Sequence, residues 1–214
     1  MFQDADQQRN LFFIGRVVED LPDPFSRHLL RLGADELDGA GVDRLGALHM
    51  HHAGDLAGVD LSEADLKGAT LRGANLAGCD LSGANLRKAD LRDTDLTDTD
   101  LRGAKMTATT MTGAFLARAT LEEAMLSGNL VGSDFSDGRL ARADFSGANL
   151  KDAHFNNADL RQANFTSCNL YAADFSGARL QRANFSRANL EKAIFTDADL
   201  RGAVFDDARG APKR

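Results

Sequence analysis

The sequence predicts an all-β solenoid, a chain wound into short stacked coils, and three observations carry that prediction. A large apolar residue returns at every fifth position from Leu56 to Leu126 and again from Leu130 to Phe205. Alanine usually stands two positions before it, as in Ala64-Asp65-Leu66, Ala84-Asn85-Leu86, Ala148-Asn149-Leu150 and Ala183-Asn184-Phe185. From Phe135 onward the large residue alternates strictly between Phe and Leu.

Each observation fixes one element of the architecture. A period of five fits neither a helix, at about 3.6, nor a strand, at about 2, so the chain must turn once per repeat. In an extended segment, residues two apart share a side, so the large residue (the centre) and its alanine face inward and the residue between them faces out. The two residues after the centre are mostly Ser, Thr, Gly, Arg, Lys or Asp, and two consecutive outward residues mark a corner. Every pentapeptide is thus a very short strand plus a bend, and successive turns stack as parallel strands about 4.8 Å apart. The Phe/Leu alternation sets the number of walls. An even number puts Phe over Phe and Leu over Leu in uniform ladders, whereas three walls would mix the two sizes on each wall and pack less regularly. Four walls are favoured.

The A(D/N)LXX pattern, seen in Ala64-Asp65-Leu66-Lys67-Gly68 and Ala74-Asn75-Leu76-Ala77-Gly78, resembles the pentapeptide repeat proteins. The resemblance spans roughly residues 54 to 208. It implies a right-handed quadrilateral β-helix with four repeats per coil, and the 31 centres, 21 Leu, eight Phe and two Met, then make about eight coils. Some members mimic DNA, bind gyrase and protect it from quinolones or other poisons.

Departures from the repeat are few. Centres step by four between Leu126 and Leu130 through Ser127-Gly128-Asn129, which should disturb the ladder locally and suits Gly and Asn in a strained backbone. Either an evolutionary scar or a partner-contact kink fits this step. Thr94, Thr99 and Thr109 replace the inward alanine, tolerable if each hydroxyl bonds nearby backbone. Cys79 and Cys168 replace it as well and read as small core residues.

Both ends differ from the middle. Residues 1–53 are expected to form an N-terminal helical cap and a degenerate leading coil, 54–208 the β-helix and 209–214 a polar tail. Within the cap, Leu11, Ile14, Val18 and Leu21 share one helical face and Phe25, Leu29 and Leu32 another, divided by Pro22. Its simplest role is to cover the first coil. His49, His51 and His52 lack the companions of a metal site, so no metal or other cofactor is expected. At the far end, a polar tail leaves Phe195, Leu200 and Phe205 uncovered beside unpaired strand edges. These three residues are the expected interface of a homodimer joined end to end, which the resemblance also favours.

The net charge of −7 argues against direct binding of nucleic acid. The first apolar run is too short for a signal peptide or membrane span, so a cytoplasmic protein without membrane contact is expected. Sorting outward residues by wall, with no wall skipped at 126–130, concentrates the acidity. One wall carries Asp55, Asp95, Asp98, Asp134, Asp137, Asp174 and Asp197 with Arg118 as its only basic residue, a net of −6, while the others carry −1, +1 and 0. The next wall divides along its length, with Asp60, Glu63, Asp80, Asp100, Glu122 and Glu123 in its first half and Arg139, Arg142, Arg161, Arg179, Arg182 and Arg201 in its second.

An apolar interior leaves no cleft for an acid, a base and a nucleophile, so no enzyme is expected. Two functions stay open at this stage. The acidic wall can imitate duplex DNA, which carries about one charge per 1.7 Å of axis, and regulate or protect DNA gyrase or topoisomerase IV. Alternatively, the rod is a structural or scaffold module for a different protein partner.

Overall fold

The structure, a computed structural model, describes residues 56–212. The expected helical cap, the degenerate coil, the three histidines and Asp55 lie outside the described residues.

Parallel bridges join residues twenty apart, from Asp60 with Asp80 to Asn189 with Arg209, so four pentapeptides complete one coil. We number the walls by their centres. Wall one runs through Leu76, Leu96, Leu116, Phe135, Phe155, Phe175 and Phe195; wall two through Leu81 and Leu160, wall three through Leu86 and Phe165, and wall four through Leu91 and Leu170. Backbone hydrogen bonds run between coils on every wall, as from Leu76 N–H to the Asp95 carbonyl at 2.8 Å and from Asp95 N–H to the Ala74 carbonyl at 3.0 Å.

Corners follow one recipe. Outside the four-residue step after Leu126, the residue three past a centre donates its N–H back to the centre's carbonyl, as Ala64 does to Leu61 at 3.1 Å, and the second residue past the centre has φ near +60°. Positive φ at that third position of a four-residue turn is the type II pattern. Glycine adopts it freely, yet Glu63, Asp98, Arg118 and Asp137 adopt it too, at some steric cost to each. Long-range pairing of the coils overrides the local preference.

The centres and inward alanines are buried throughout, opening only at the ends. In the second half the Phe rings stand directly above one another on walls one and three. Phe135 stacks on Phe155 at 5.0 Å and Phe145 on Phe165 at 5.0 Å, while the two columns meet edge to face, as Phe135 and Phe145 do at 5.7 Å and 84°. Such ring pairs add about 0.5–1.5 kcal/mol each beyond burial. The uniform ladders expected of an even number of walls are therefore present. Inward polar groups are satisfied by backbone carbonyls one coil away. Thr94 donates to Leu71, Thr99 to Leu76, Cys79 to Leu56 and Cys168 to Phe145, at 2.8 to 3.0 Å. Burial pushes the Cys168 thiol up to about 12, which keeps it protonated and inert.

The four-residue step is absorbed within one coil. Two longer strands form there, β1 (Lys105–Thr110) and β2 (Met125–Asn129), parallel and with a register shift between Met106 and Thr109. Bridges across the short coil join residues nineteen apart, such as Phe115 with Asp134, and no wall is skipped. Gly128 alone takes the strain, at φ +115°. A Cβ there would lie 2.2 Å from the Thr109 carbonyl oxygen, so no other residue fits. Asn129, expected to share that strain, keeps negative φ and pairs normally with Asn149. Side chains take over backbone bonding at the step: Ser127 Oγ accepts the Ala108 N–H at 3.2 Å, where other corners use a carbonyl, and Thr109 Oγ1 donates to the Met106 carbonyl at 2.9 Å.

Candidate functional site

Wall one carries the carboxylates on two columns, created by the repeat itself. The outward residue before each centre gives the column Asn75, Asp95, Phe115, Asp134, His154, Asp174 and Ile194. The corner position adds Asp98, Arg118, Asn157 and Asp197, with Asp137 between Arg118 and Asn157. All six described members of the expected acidic face therefore share one side of the rod.

Their partners are mostly neutral. Asp95 accepts the Thr97 N–H, Asp134 the Ser136 N–H and Asp174 the Ser176 N–H, each at 2.9 Å. These bonds brace the corner that follows. Asp137 accepts from the Asn157 amide at 3.2 Å. Partial burial raises the Asp174 pKa, but hydrogen bonds from Ser176 Oγ and the Asn156 amide outweigh it and hold the carboxyl below its ordinary range. Asp98 alone among the six is ion-paired, gripped by Arg118 at 2.8 and 2.6 Å, and this lowers its pKa. The wall thus keeps a net charge of −5 over the described residues. Successive Phe rings on it lie 4.9 to 5.1 Å apart, so the five coil steps from Asp98 to Asp197 cover about 25 Å.

Wall two resolves its charge differently. Arg102 binds Asp100, Arg161 binds Asp159 at 2.6 Å and Arg201 binds Asp199 at 2.6 Å, while Arg139 reaches Glu122 at 3.2 Å and Arg142 reaches Glu123 at 2.7 Å. The arginines hold Asp100 and Asp199 below the ordinary carboxylate range. At Asp159 they do so against the opposing effect of burial. Five carboxylates of this wall are thereby paired, two of them across the boundary between its acidic and basic halves, while Asp80 at the acidic end accepts the Ser82 N–H at 2.9 Å.

At the C-terminal end, Phe195, Leu200 and Phe205 are half-buried, and Phe195 and Phe205 stack on Phe175 and Phe185 on one side. Leu200, Phe205 and Pro212 line a shallow hollow of about 720 Å³. Ile194 and Val204 extend the apolar surface outward from the same coil. The sequence reading passed over two features of wall one, the Asp98–Arg118 pair and the exposed ring of Phe115. Both had a signal: Arg118 follows Asp98 by twenty residues, and Phe115 stands where the repeat writes Asp or Asn.

The model of the family described as pentapeptide repeats matches this chain in eight copies at residues 55–93, 99–128, 129–166 and 168–207. The chain belongs to the pentapeptide repeat family. Its four-walled coil is the quadrilateral β-helix of that family, whose coils are right-handed. The break between the second and third matched segments falls at the short coil of this pentapeptide repeat protein. Among solved structures it is similar to HetL, a pentapeptide repeat protein involved in heterocyst differentiation regulation in the cyanobacterium Nostoc sp. strain PCC 7120. Identity is 32% over 73% of this chain and 87% of that one, with a TM-score of 0.34. A pentapeptide repeat protein of the Arabidopsis thaliana thylakoid lumen is 38% identical over 42% of this chain and 66% of that one, with a TM-score of 0.35. Full-length QnrB1, a plasmid-mediated fluoroquinolone resistance protein, is 21% identical over 72% of this chain and 92% of that one, with a TM-score of 0.37. No curated protein matches the chain.

Proposed function

We propose that this pentapeptide repeat protein is a non-catalytic, protein-binding rod whose wall one imitates the backbone of DNA toward a nucleic-acid-binding protein, with DNA gyrase and topoisomerase IV the first partners to test. One observation carries the reading: five carboxylates on a single rigid wall, Asp95, Asp134, Asp137, Asp174 and Asp197, have no ion pair among the described residues. About one net charge per 5 Å approaches the spacing of a single DNA strand, about 3.4 Å per phosphate, and falls well short of a duplex. A fixed row of unpaired charge steers a cationic partner from a distance, and its effect weakens steeply with salt. An end-to-end dimer through Phe195, Leu200 and Phe205 would double the row; Phe205→Glu should then halve the mass seen by light scattering, and an unchanged mass would rule that contact out.

The test is titration into a gyrase supercoiling assay, with and without a quinolone, at several salt concentrations. Inhibition or protection that is strongest at low salt is expected. The triple variant Asp95→Asn, Asp134→Asn, Asp174→Asn should abolish it while keeping the thermal transition, because an Asn carbonyl braces the same corner elsewhere, as Asn184 does for Ser186 at 3.0 Å. Neither inhibition, protection nor binding at the lowest salt would overturn the reading and leave a scaffold role.

A further inference from the structure

Phe115 breaks the pattern of wall one at its middle. The residue is 54% exposed, more than Met125, Ile194 or Val204, the other exposed large hydrophobic residues among the described ones. Directly above and below it in the same column stand Asp95 and Asp134. The fold does not demand a ring there. The Phe115 N–H donates to the Thr94 carbonyl at 2.9 Å and its carbonyl accepts from Leu96 at 2.7 Å, the same backbone bonds that Asp95 and Asp134 make. Stacking of the core rings begins at Phe135 and does not include it.

Its setting is also unusual. Phe115 belongs to the short coil, whose four outward residues before the centres are Phe115, Thr120, Met125 and Asn129, all uncharged. Along these positions the charged rod therefore has an uncharged girdle at its waist, while the corners of the same coil carry Arg118, Glu122 and Glu123, each ion-paired to a neighbouring coil. On wall one that girdle presents an aromatic ring framed by carboxylates on both sides along the axis, with the neutralised Asp98–Arg118 pair at the neighbouring corner.

We propose that Phe115 is the anchor of the wall-one interface, inserting into an apolar slot of the partner whose bordering Lys and Arg residues meet Asp95, Asp134 and Asp137. The proposal rests on the reading of wall one as a docking surface and adds what holds the partner once charge has brought it there. Charged rims govern the rate of encounter, whereas a central, desolvated aromatic governs release. The partner this chemistry fits is a protein with a cationic groove interrupted by an apolar pocket, not a uniformly basic surface.

Substitution of Phe115 by Asp separates anchor from charge because the two predict opposite signs. Asp at this position completes the carboxylate column and suits the backbone, as Asp95 and Asp134 show. A surface that binds by charge alone binds more tightly as Phe115→Asp. An anchored one loses affinity for DNA gyrase by about tenfold or more, through faster dissociation. Phe115→Ala should lose about tenfold with an unchanged salt dependence, and Phe115→Leu should recover part of it. Thermal unfolding of all three should match the wild type. Equal or tighter gyrase binding by Phe115→Asp, or wild-type binding by Phe115→Ala, overturns the anchor. If in either case the Asn triple variant still abolishes binding, the broader reading survives alone; a wild-type protein that does not bind gyrase at low salt overturns both.

Discussion

Walls one and two are built from the same repeat, carry carboxylates at the same positions, and end with different charge: acidic on wall one, largely paired on wall two. On both, the Asp before a centre accepts the N–H two residues on: Thr97, Ser136 and Ser176 on wall one, Ser62, Ser82, Arg102, Arg161 and Arg201 on wall two. The hydrogen bond that braces the corner is therefore common to both. What differs is the side chain of that second residue. Arginine folds back onto the carboxylate and cancels it; serine or threonine leaves it charged. That one residue decides, repeat by repeat, whether the carboxylate before it is paired locally, and on wall two the pairs Arg139–Glu122 and Arg142–Glu123 between coils add to the effect. A scaffold of this kind can vary its surface without disturbing its core, which is why membership of the family does not by itself assign a partner.

Importing wall two's arginine into wall one tests this directly and should have the largest effect. Ser136→Arg with Ser176→Arg places a guanidinium beside Asp134 and Asp174 in the manner of Arg161 and Asp159. The row loses two net charges at about 1 kcal/mol each, so binding to gyrase at low salt should fall about 10- to 30-fold. Thermal stability should stay within about 1 kcal/mol of the wild type. Undiminished binding would show that wall one is a solvated face rather than a docking surface.

The two walls also show what the sequence could and could not reveal. Burial was legible because one spacing of five, with Ala before Leu or Phe, determines it, and wall membership and coil number followed once the strict Phe/Leu alternation from Phe135 set four walls. The acidic column was legible for the same reason, since the period assigns Asp95, Asp134 and Asp174 to one side. Pairing was not: Arg118 lies twenty residues from Asp98, and only the closed coil brings the two within 2.6 Å. Asn129 was assigned strain that Gly128 bears alone, because the step of four does not say which residue absorbs it. Phe115 was in plain view, but a single apolar residue at an outward site acquires meaning only when its neighbours above and below are known.

Acid should expose a smaller difference between the walls. Arginine hydrogen bonds hold Asp100 and Asp199 on wall two, and Asp90 on wall four, below the unfolded carboxylate range, and do the same at Asp159 of wall two against burial. A carboxylate whose folded pKa is depressed contributes stability above its unfolded pKa, and that contribution is lost as pH falls through the folded value. The melting temperature should accordingly be flat between about pH 7 and pH 5 and decline below about pH 4. Arg102→Gln, Arg161→Gln and Arg201→Gln together should make that decline shallower. An unchanged acid profile in this variant would mean that the wall-two pairs contribute nothing to the folded state.

The smallest effect is expected from the reverse exchange, Arg161→Ser with Arg201→Ser, which gives wall two the unpaired carboxylates of wall one. Both arginines are substantially exposed, so each pair is a weak contact screened by solvent, and the corner hydrogen bonds from the N–H of residues 161 and 201 to Asp159 and Asp199 persist. The midpoint of a urea titration at neutral pH should hardly move. Gyrase binding should rise only about two- to threefold, and only at low salt, because wall two has acquired negative potential but has no exposed ring like Phe115 to hold what that potential attracts. A rise as large as the loss produced by Ser136→Arg and Ser176→Arg would show that charge on any wall suffices. The distinction between the walls would then lie in electrostatics alone.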